Sequence, residues 1–506
     1  MHLVVLPTIL SLFWLRGIHS NDPLVVVETS NGPIAGFRKR VADREVLEFL
    51  GVPFAKPPVG PLRFRAPQPL NKWTDVLNCT QPTPACYQRQ SQSLTGSDEG
   101  VAVKSSASPS EDCLKINLWA PANQTDMAVM IWIFGGGFIS GSPSIDDYNG
   151  QTLALRGNVI VVNINYRLGP FGFFYSKEEN VSLNAGLLDQ RLAIGWVKEN
   201  CRTFGGDPNK VTLFGQSAGS ASAAFHLLSK DSWPFFDRVI LQSGSPTSPW
   251  AYNSPEKAAG YSAALIKTAG CANGTVAENL SCLRQVDAAV IQNAFNQLMF
   301  TYYSLMFVPV TVDNSFFNGS MFSYIATGAI KNCPVIAGFN SDEGSFVLPL
   351  FLPSLLQSQK EEGLNSTQTA DFITAALQGI PKIVTSIIFN NYLPQTIEKY
   401  PQNNSLPPYP FLYRDTLLHL IGDLFFTCRI IDFQNHIAKH SESVAYLYHF
   451  NHRTSFANSA LWMGVRHGEE IEYVFGRPLT VTNYTESEKN LSISIIDHWV
   501  EFANTG

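Results

Sequence analysis

The sequence has no excess of basic residues and no long apolar run beyond its first 20 residues. Only 15% of its 506 residues are charged, and the formal net charge is −6. No basic stripe is therefore present to bind phosphates, which argues against nucleic acid as a partner. No later segment has the roughly 18 consecutive apolar residues of a membrane span, so we expect no transmembrane segment in this chain. Linkers, low-complexity tracts and repeats are also missing, which predicts a single domain over residues 21–506.

The N-terminal segment MHLVVLPTILSLFWLRGIHS (1–20) has the short apolar core of a secretory signal peptide, with cleavage expected near Ser20. Asn-x-Ser/Thr sequons recur from Asn78 to Asn490, which is typical of a glycosylated protein. Eight cysteines in an exported chain predict disulfides. By spacing, residues 271 and 282 could close a small loop and residues 86 and 113 a larger one, but connectivity does not follow from sequence alone. We therefore expect a secreted glycoprotein with disulfide bonds.

The N-terminal half alternates between strand and helix patterns. Residues 24–40 predict a hairpin, and the β-branched runs at 158–166 and 210–214 predict strands that are buried on both faces. Apolar residues at helical spacing over 184–201 predict a helix between these two strands. We therefore expect an α/β fold with a mainly parallel sheet. Residues 255–440 are irregular and helix-rich, and we interpret them as insertions that cover the carboxyl edge of the sheet.

The stretch VTLFGQSAGS (211–220) contains one serine between small residues, directly after a predicted buried strand and before a predicted helix. Gly215 to Gly219 fit the pattern G-x-S-x-G, and strand–turn–helix is the context that this pattern requires. The flanking glycines indicate a tight, strained turn that would expose the Ser217 hydroxyl as a nucleophile. The competing interpretation is a Gly/Ser loop that happens to end a strand.

A serine nucleophile needs hydrogen-bond donors for the oxyanion that it creates. The segment FGGGF (134–138) follows a predicted strand, and its glycines would let backbone N–H groups converge on one point. By itself the segment is equally consistent with a flexible turn or a weak phosphate loop. It lacks the Lys-Ser/Thr ending of a P-loop, so beside the serine turn we favour an oxyanion loop.

With these two motifs the chain resembles the type-B carboxylesterase/cholinesterase family of α/β hydrolases. The resemblance extends from the N-terminal hairpin to the end of the chain, and it includes FLGVPFAKPPVGPLRF (49–64), SEDCLKINLWAP (110–121), GLLDQRLAIGWV (186–197) and WMGVRHGEEIEYVFGRPL (462–479). It implies an α/β-hydrolase fold, with a large and mostly parallel central sheet flanked by helices and with helical insertions over the active-site edge.

The resemblance implies the roles of the remaining site residues. Ser217 is expected to be the nucleophile, Glu343 the acid and His467 the base, in the chain order of α/β hydrolases. The expected oxyanion donors are Gly136, Gly137 and Ala218. The resemblance also implies the disulfides Cys86–Cys113 and Cys271–Cys282 and the ion pairs Arg63–Glu111 and Arg167–Asp189. Cys428 aligns with a cysteine whose partner lies in a C-terminal segment beyond residue 506, so we expect a chain that is truncated at its C-terminus or is a short splice form.

Two departures from the cholinesterase pattern bear on the substrate. The tryptophan that binds the choline cation in that branch has no counterpart between residues 87 and 112, where Val103 takes its place by equal spacing. The acidic residue that usually precedes the nucleophile is replaced by the neutral Gln216. By alignment, the substrate-binding residues of the acyl pocket are Trp250, Leu305, Phe307 and Phe346, for which plain core packing is the competing interpretation. We therefore expect a secreted serine carboxylesterase for small to medium uncharged esters.

This expected enzyme needs no metal and no organic cofactor, and its partner is a small-molecule ester. Oligomerisation cannot be read from the sequence. The alternatives are a cholinesterase with an atypical cation site and a non-catalytic, cholinesterase-like adhesion protein. The second alternative has to explain why all three expected triad residues are present.

Overall fold

The computed structural model describes residues 22–88, 109–178, 180–302, 305–351, 363–376, 381–398, 409–440 and 442–506. The predicted signal peptide and Val103 lie outside these residues. No helix in the described ranges is long and apolar enough to cross a bilayer.

Eleven strands of the described chain form one mixed sheet in the order β1-β2-β3-β5-β7-β6-β8-β9-β10-β11, with β4 beside β2. The strands are β1 (Leu24–Glu28), β2 (Pro33–Val41), β3 (Arg44–Pro53), β4 (Leu77–Asn78), β5 (Lys115–Pro121), β6 (Met127–Ile133), β7 (Ile160–Ile164), β8 (Gly206–Gln216), β9 (Arg238–Gln242), β10 (Val335–Asn340) and β11 (Ala445–Phe450). The pairs from β1 to β7 along the sheet are antiparallel, and those from β7 to β11 are parallel. The predicted fold class is therefore confirmed.

Helices cover both faces of this sheet and its carboxyl edge. They are α1 (Gln151–Gly157), α2 (Gly169–Phe173), α3 (Ala185–Asn200), α4 (Ala218–Leu227), α5 (Pro255–Thr268), α6 (Val276–Gln285), α7 (Ala288–Tyr302), α8 (Met321–Thr327), α9 (Gly344–Phe351), α10 (Ser366–Ala376), α11 (Lys382–Glu398), α12 (Tyr409–Gly422), α13 (Cys428–His440), α14 (Ile471–Val474) and α15 (Glu486–Thr505). A π-helical turn, Asp423–Thr427, joins α12 to α13.

The centre of the sheet forms the hydrophobic core. Every residue of β6 and β7 is buried, and for β7 the nearly unbroken β-branched run at 158–166 predicts burial on both faces. The parallel strands β6, β8, β10 and β11 all end at the same edge of the sheet. Segments that are far apart in the chain therefore meet there, which is where open α/β sheets bind ligands.

The interpretation of residues 255–440 as insertions was wrong for β10. Val335–Asn340 is a central strand between β9 and β11. Its run VIAGFN is short and contains Gly338, which weakens a strand signal. The glycine is required because a Cβ there would lie 2.2 Å from the ring of Tyr448 on β11.

Both implied disulfides and both implied ion pairs are confirmed. Cys86 is bonded to Cys113 and Cys271 to Cys282. The Arg63 guanidinium binds Glu111 at 2.6 Å, and that of Arg167 binds the fully buried Asp189 at 2.7 Å. Cys79, Cys201 and Cys333 are buried free thiols, and Cys428 is an exposed one.

Glu488 connects the last helix, α15, to the loop that contains Ser455 and leads on to His467. Its carboxylate is 1% exposed and belongs to the capping box that begins α15 at Thr485. It also accepts hydrogen bonds from the Ser455 N–H at 2.7 Å and the Ser455 hydroxyl at 3.0 Å. Burial by itself would raise the pKa of Glu488, but the hydrogen bonds from Ser455 and Thr485 outweigh burial and lower this pKa to about 2.

We expect Glu488→Gln to destabilise the fold by about 2 kcal/mol at pH 7, because the amide cannot accept the full set of hydrogen bonds. The pKa of Glu488 is lower in the folded chain than its ordinary value of 4.5. Its contribution is therefore complete above about pH 4.5 and is lost as the pH falls towards 2. Thermal unfolding across this pH range should show the difference in Tm between variant and wild type shrinking in acid.

Glu486→Gln is the matched control, because Glu486 lies in the same helical turn with a side chain that is 82% exposed. Its Tm should stay near that of the wild type, since exposed ion pairs contribute little. An equal loss of Tm in both variants would contradict the role assigned to Glu488.

Candidate active site

The serine turn lies between β8 and α4, as the sequence predicts. Ser217 has a φ of +57°, in the left-handed region that residues other than glycine rarely adopt. Its N–H donates to the Gln242 carbonyl on the neighbouring strand at 2.8 Å, and its carbonyl accepts from the Ala221 N–H at 2.9 Å. The strained residue is thus fixed on both sides, with its side chain at the N-terminus of α4.

The two glycines of the motif are small because strand and helix almost touch. A Cβ on Gly219 would lie 1.8 Å from the Ile133 carbonyl oxygen of β6, and one on Gly215 would lie 2.6 Å from the carbonyl of Gly219. Any larger side chain would separate α4 from the sheet. This geometry confirms that the close approach of helix and strand requires small residues here.

The glycine loop that follows β6 lies against the serine turn. Gly136 and Gly137 have φ values of +107° and +61°, and a Cβ on Gly135 would lie 3.0 Å from the Ser217 Cβ. In the described part of the chain, the N–H groups of Gly136, Gly137 and Ala218 have no hydrogen-bond acceptor. Two of these donors therefore belong to the loop that lies against the serine turn, and the third directly follows Ser217 in the chain; an oxyanion hole needs donors of this kind.

Glu343 and His467 meet at the carboxyl ends of β10 and β11. The Glu343 carboxylate is 1% exposed; it accepts from the Asn340 N–H at 2.8 Å and contacts His467 Nδ1 at 2.5 Å. A carboxylate partner requires Nδ1 to carry a proton, which leaves Nε2 as the basic nitrogen of the imidazole. In this arrangement His467 Nε2 is the acceptor of the imidazole.

Gln216 occupies the basic side of that imidazole. Its amide nitrogen lies 3.0 Å from His467 Nε2 and donates to it, because Nε2 carries the lone pair. Among the described residues, no hydrogen bond joins the Ser217 hydroxyl to His467. The amide of Gln216 and the hydroxyl of Ser217 therefore compete for one acceptor.

Comparison with known proteins agrees with this architecture. A model of the Carboxylesterase family matches residues 23–506. The chain is 39% identical over 488 residues to an acetylcholinesterase of Bungarus fasciatus, which covers 95% of this chain and 78% of that protein. It is 37% identical over 493 residues to a cholinesterase of Mus musculus, with 96% and 80% covered.

The chain belongs to the carboxylesterase family. Membership in the carboxylesterase family agrees with the resemblance found in the sequence and supports ester hydrolysis as the class of reaction.

Three of the four residues aligned with the family's acyl pocket lie near the site. The Leu305 methyl groups would be 3.2 Å from a Cβ on Gly137, so this side chain packs against the glycine loop. The Phe346 ring packs on the His467 imidazole, with centroids 5.4 Å apart.

Trp250 is held by a hydrogen bond of 3.0 Å from its indole N–H to the Phe425 carbonyl. Phe307 is buried and packs on Phe295, so its place in the pocket stays a prediction.

Phe426 is a site residue that the sequence analysis missed. It lies in the π-helical turn, with its ring 4.5 Å from the His467 imidazole and 5.7 Å from the Trp250 ring, centroid to centroid. Phe346 and Phe426 therefore both pack on the imidazole. No motif surrounds Phe426 in the sequence. It is identified only in the structure, because the π-helical turn that contains it lies at the site.

A second buried carboxylate, Glu470, lies beneath the first. Its oxygens accept from the amides of Asn340 at 2.7 Å and Gln242 at 3.1 Å. Burial, and then the neighbouring Glu343 carboxylate, raise the pKa of Glu470, and the amide donors partly oppose this rise. Asn340 binds both carboxylates, one through its backbone N–H and one through its side chain. The described residues hold no cluster of three or more His, Cys, Asp or Glu side chains that could bind a metal ion.

We expect Phe426→Leu to lower kcat/KM for p-nitrophenyl butyrate roughly tenfold, because the imidazole loses one of the two rings that orient it. Steady-state kinetics of the purified variant measure this effect. Phe425→Leu is the matched control, since Phe425 reaches Trp250 through its backbone carbonyl, which the substitution retains. Equal losses in the two variants would show that the π-helical turn as a whole, and not the ring of Phe426, is responsible.

Proposed function

We propose that this protein is a secreted serine carboxylesterase that acts through an acyl-enzyme on small to medium, uncharged esters. The observation that supports this most strongly is the contact of 2.5 Å between Glu343 and His467 Nδ1, beside the strained turn of Ser217. The donors of the glycine loop lie next to the same turn. The expected signal peptide and the sequons support secretion.

In the proposed mechanism, His467 Nε2 takes the proton of the Ser217 hydroxyl while the serine oxygen attacks the ester carbonyl. Glu343 stabilises the imidazolium through Nδ1. The oxyanion accepts hydrogen bonds from the N–H groups of Gly136, Gly137 and Ala218. His467 then gives the proton to the leaving alcohol, and a water molecule, activated by the same imidazole, hydrolyses the acyl-enzyme.

Gln216 has to release the imidazole before this proton transfer, because it occupies the lone pair that the serine needs. We infer that its amide turns away when the ester binds and the hydroxyl of Ser217 takes its place at Nε2. The amide is neutral in both positions. It therefore leaves the pocket without the negative charge that would attract a cationic substrate.

The apolar surroundings of the imidazole support an uncharged substrate. Phe346, Phe426, Trp250 and Leu305 surround the site with rings and methyl groups, and none of them carries a charge. The alternative is a cholinesterase with a different cation site. It is supported by the names of the relatives in Bungarus fasciatus and Mus musculus, and by the attraction of aromatic rings for cations.

A fluorophosphonate probe tests the nucleophile. We expect it to label Ser217 in the wild type, and Ser217→Ala should lose both labelling and p-nitrophenyl butyrate turnover. Ser220→Ala is the matched control, because this buried hydroxyl on the same helix donates to the Gly244 carbonyl and not to the site. Turnover retained by Ser217→Ala would refute the assignment. A folded wild type that takes no label would instead favour the adhesion protein.

The preference for uncharged esters is tested with butyrylthiocholine and the uncharged thioester in which carbon replaces the choline nitrogen. We expect the wild type to have no preference for the cation. Gln216→Glu should raise the relative kcat/KM for butyrylthiocholine roughly fivefold, through attraction to the new carboxylate. It should also move the acid limb of the pH profile to higher pH, because a nearby carboxylate stabilises the imidazolium.

Gln216→Met is the control for this comparison, because it removes the hydrogen bond to His467 without adding charge. Its ratio between the two substrates should equal that of the wild type. A strong preference of the wild type for butyrylthiocholine would overturn the proposed substrate class in favour of the cholinesterase.

A further inference from the structure

Gln88 forms a two-sided clamp on a buried glycine at the end of the oxyanion loop. Its side-chain nitrogen donates to the Gly141 carbonyl at 2.7 Å, and its side-chain oxygen accepts from the Gly141 N–H at 2.9 Å. Gln88 is 4% exposed, and Gly141 is buried. Without this amide, a buried donor and a buried acceptor of the backbone would both be left without partners.

The clamp closes the turn that contains the oxyanion donors. At the start of the turn, the Gly136 carbonyl accepts from the N–H groups of Ile139 and Ser140, both at 3.1 Å. At its end, Gly141 has a φ of +124°, and a Cβ there would lie 2.7 Å from the Gly135 carbonyl oxygen. The half-exposed Gly136 and Gly137 therefore lie in a turn whose shape is fixed by bonds at both ends.

The segment that carries Gln88 is itself rigidly held. The Gln88 side-chain nitrogen also donates to the Cys86 carbonyl at 3.0 Å. Cys86 is bonded to Cys113, and the Pro84 carbonyl accepts from the Asn165 side chain at 2.8 Å. A side chain anchored in this way can fix the position of the loop that it binds.

We propose that Gln88 is a positioning residue for ester hydrolysis, because it holds the oxyanion loop in its donating shape from the disulfide-bonded segment. This inference rests on the proposed function, since it assigns the same loop to the oxyanion. The restraint itself does not depend on the proposed function, because Gln88 holds residues 134–142 whether or not the site hydrolyses an ester.

The test replaces the amide by a side chain of similar length that cannot form hydrogen bonds, Gln88→Met. We expect kcat for p-nitrophenyl butyrate to fall at least tenfold, with KM within twofold of the wild type, because oxyanion donors act in the transition state. The affinity for a trifluoromethyl ketone that mimics the tetrahedral intermediate should fall in proportion to kcat/KM. Amide hydrogen exchange in the peptide covering residues 134–142 should become faster.

Gln434→Met is the matched control. Gln434 is 6% exposed, and its side-chain nitrogen also binds two backbone carbonyls, those of Tyr446 at 2.8 Å and Val335 at 3.3 Å. These bonds lie among β10, β11 and α13, so kcat and exchange in residues 134–142 should stay at wild-type values even where Tm falls. If Gln88→Met does not fold, Gln88→Asn makes the same test, since its amide is too short to reach both groups of Gly141.

The outcomes separate the two proposals. Wild-type kcat in the Gln88 variant, or equal kcat losses in the Gln88 and Gln434 variants, would overturn the positioning role. If the wild type hydrolyses no ester, the proposed function fails. Faster exchange in the Gln88 variant alone would then still support the restraint on the loop, and unchanged exchange would overturn it.

Discussion

The close approach of Gly219 to the Ile133 carbonyl is the constraint on which the candidate active site depends. Because α4 almost touches β6, the chain has to turn sharply between β8 and α4, and Ser217 takes up a positive φ. The same strand, β6, continues directly into the glycine loop. One contact between backbones therefore determines both where the Ser217 hydroxyl lies and where the proposed oxyanion donors lie. The strain at Ser217 is offset by the packing of a fully buried sheet and helix.

Among the described residues, the two buried carboxyl groups of the site take their hydrogen bonds chiefly from amides. Glu343 accepts from the Asn340 N–H, and Glu470 accepts from the side chains of Asn340 and Gln242. Such donors satisfy the hydrogen-bonding capacity of a buried carboxylate without an ion pair, and Glu343 orients the imidazole through its contact with Nδ1. On the other side of His467, an amide is again the polar partner, because Gln216 donates to Nε2. The polar contacts of the imidazole are thus one carboxylate and one amide, and two aromatic rings pack on it.

Membership in the carboxylesterase family and the local chemistry of this chain answer different questions. The family relationship accounts for the sheet, for the turn and for ester hydrolysis as a class of reaction. Gln216 and the apolar residues around His467 belong to this sequence, and they bear on which ester can bind. Gln88 involves both the family relationship and the local chemistry. Its segment is held by the disulfide Cys86–Cys113, which the family resemblance implied, and its side chain binds the proposed oxyanion loop.

The sequence by itself determined the elements whose pattern is local. The buried β-branched runs predicted β7 and β8, and the glycines around Ser217 predicted a tight turn, because backbone sterics act over a few residues. The pairing of Glu343 with His467 came only from the family resemblance, since nothing near either residue indicates its partner. Tertiary structure alone decided the rest. β10 becomes a strand by pairing with β9 and β11. Phe426 contacts His467, 41 residues later in the chain, and Gln88 binds Gly141, 53 residues later. Contacts at such separations depend on how the sheet brings the carboxyl ends of its strands together, so no local sequence pattern predicts them.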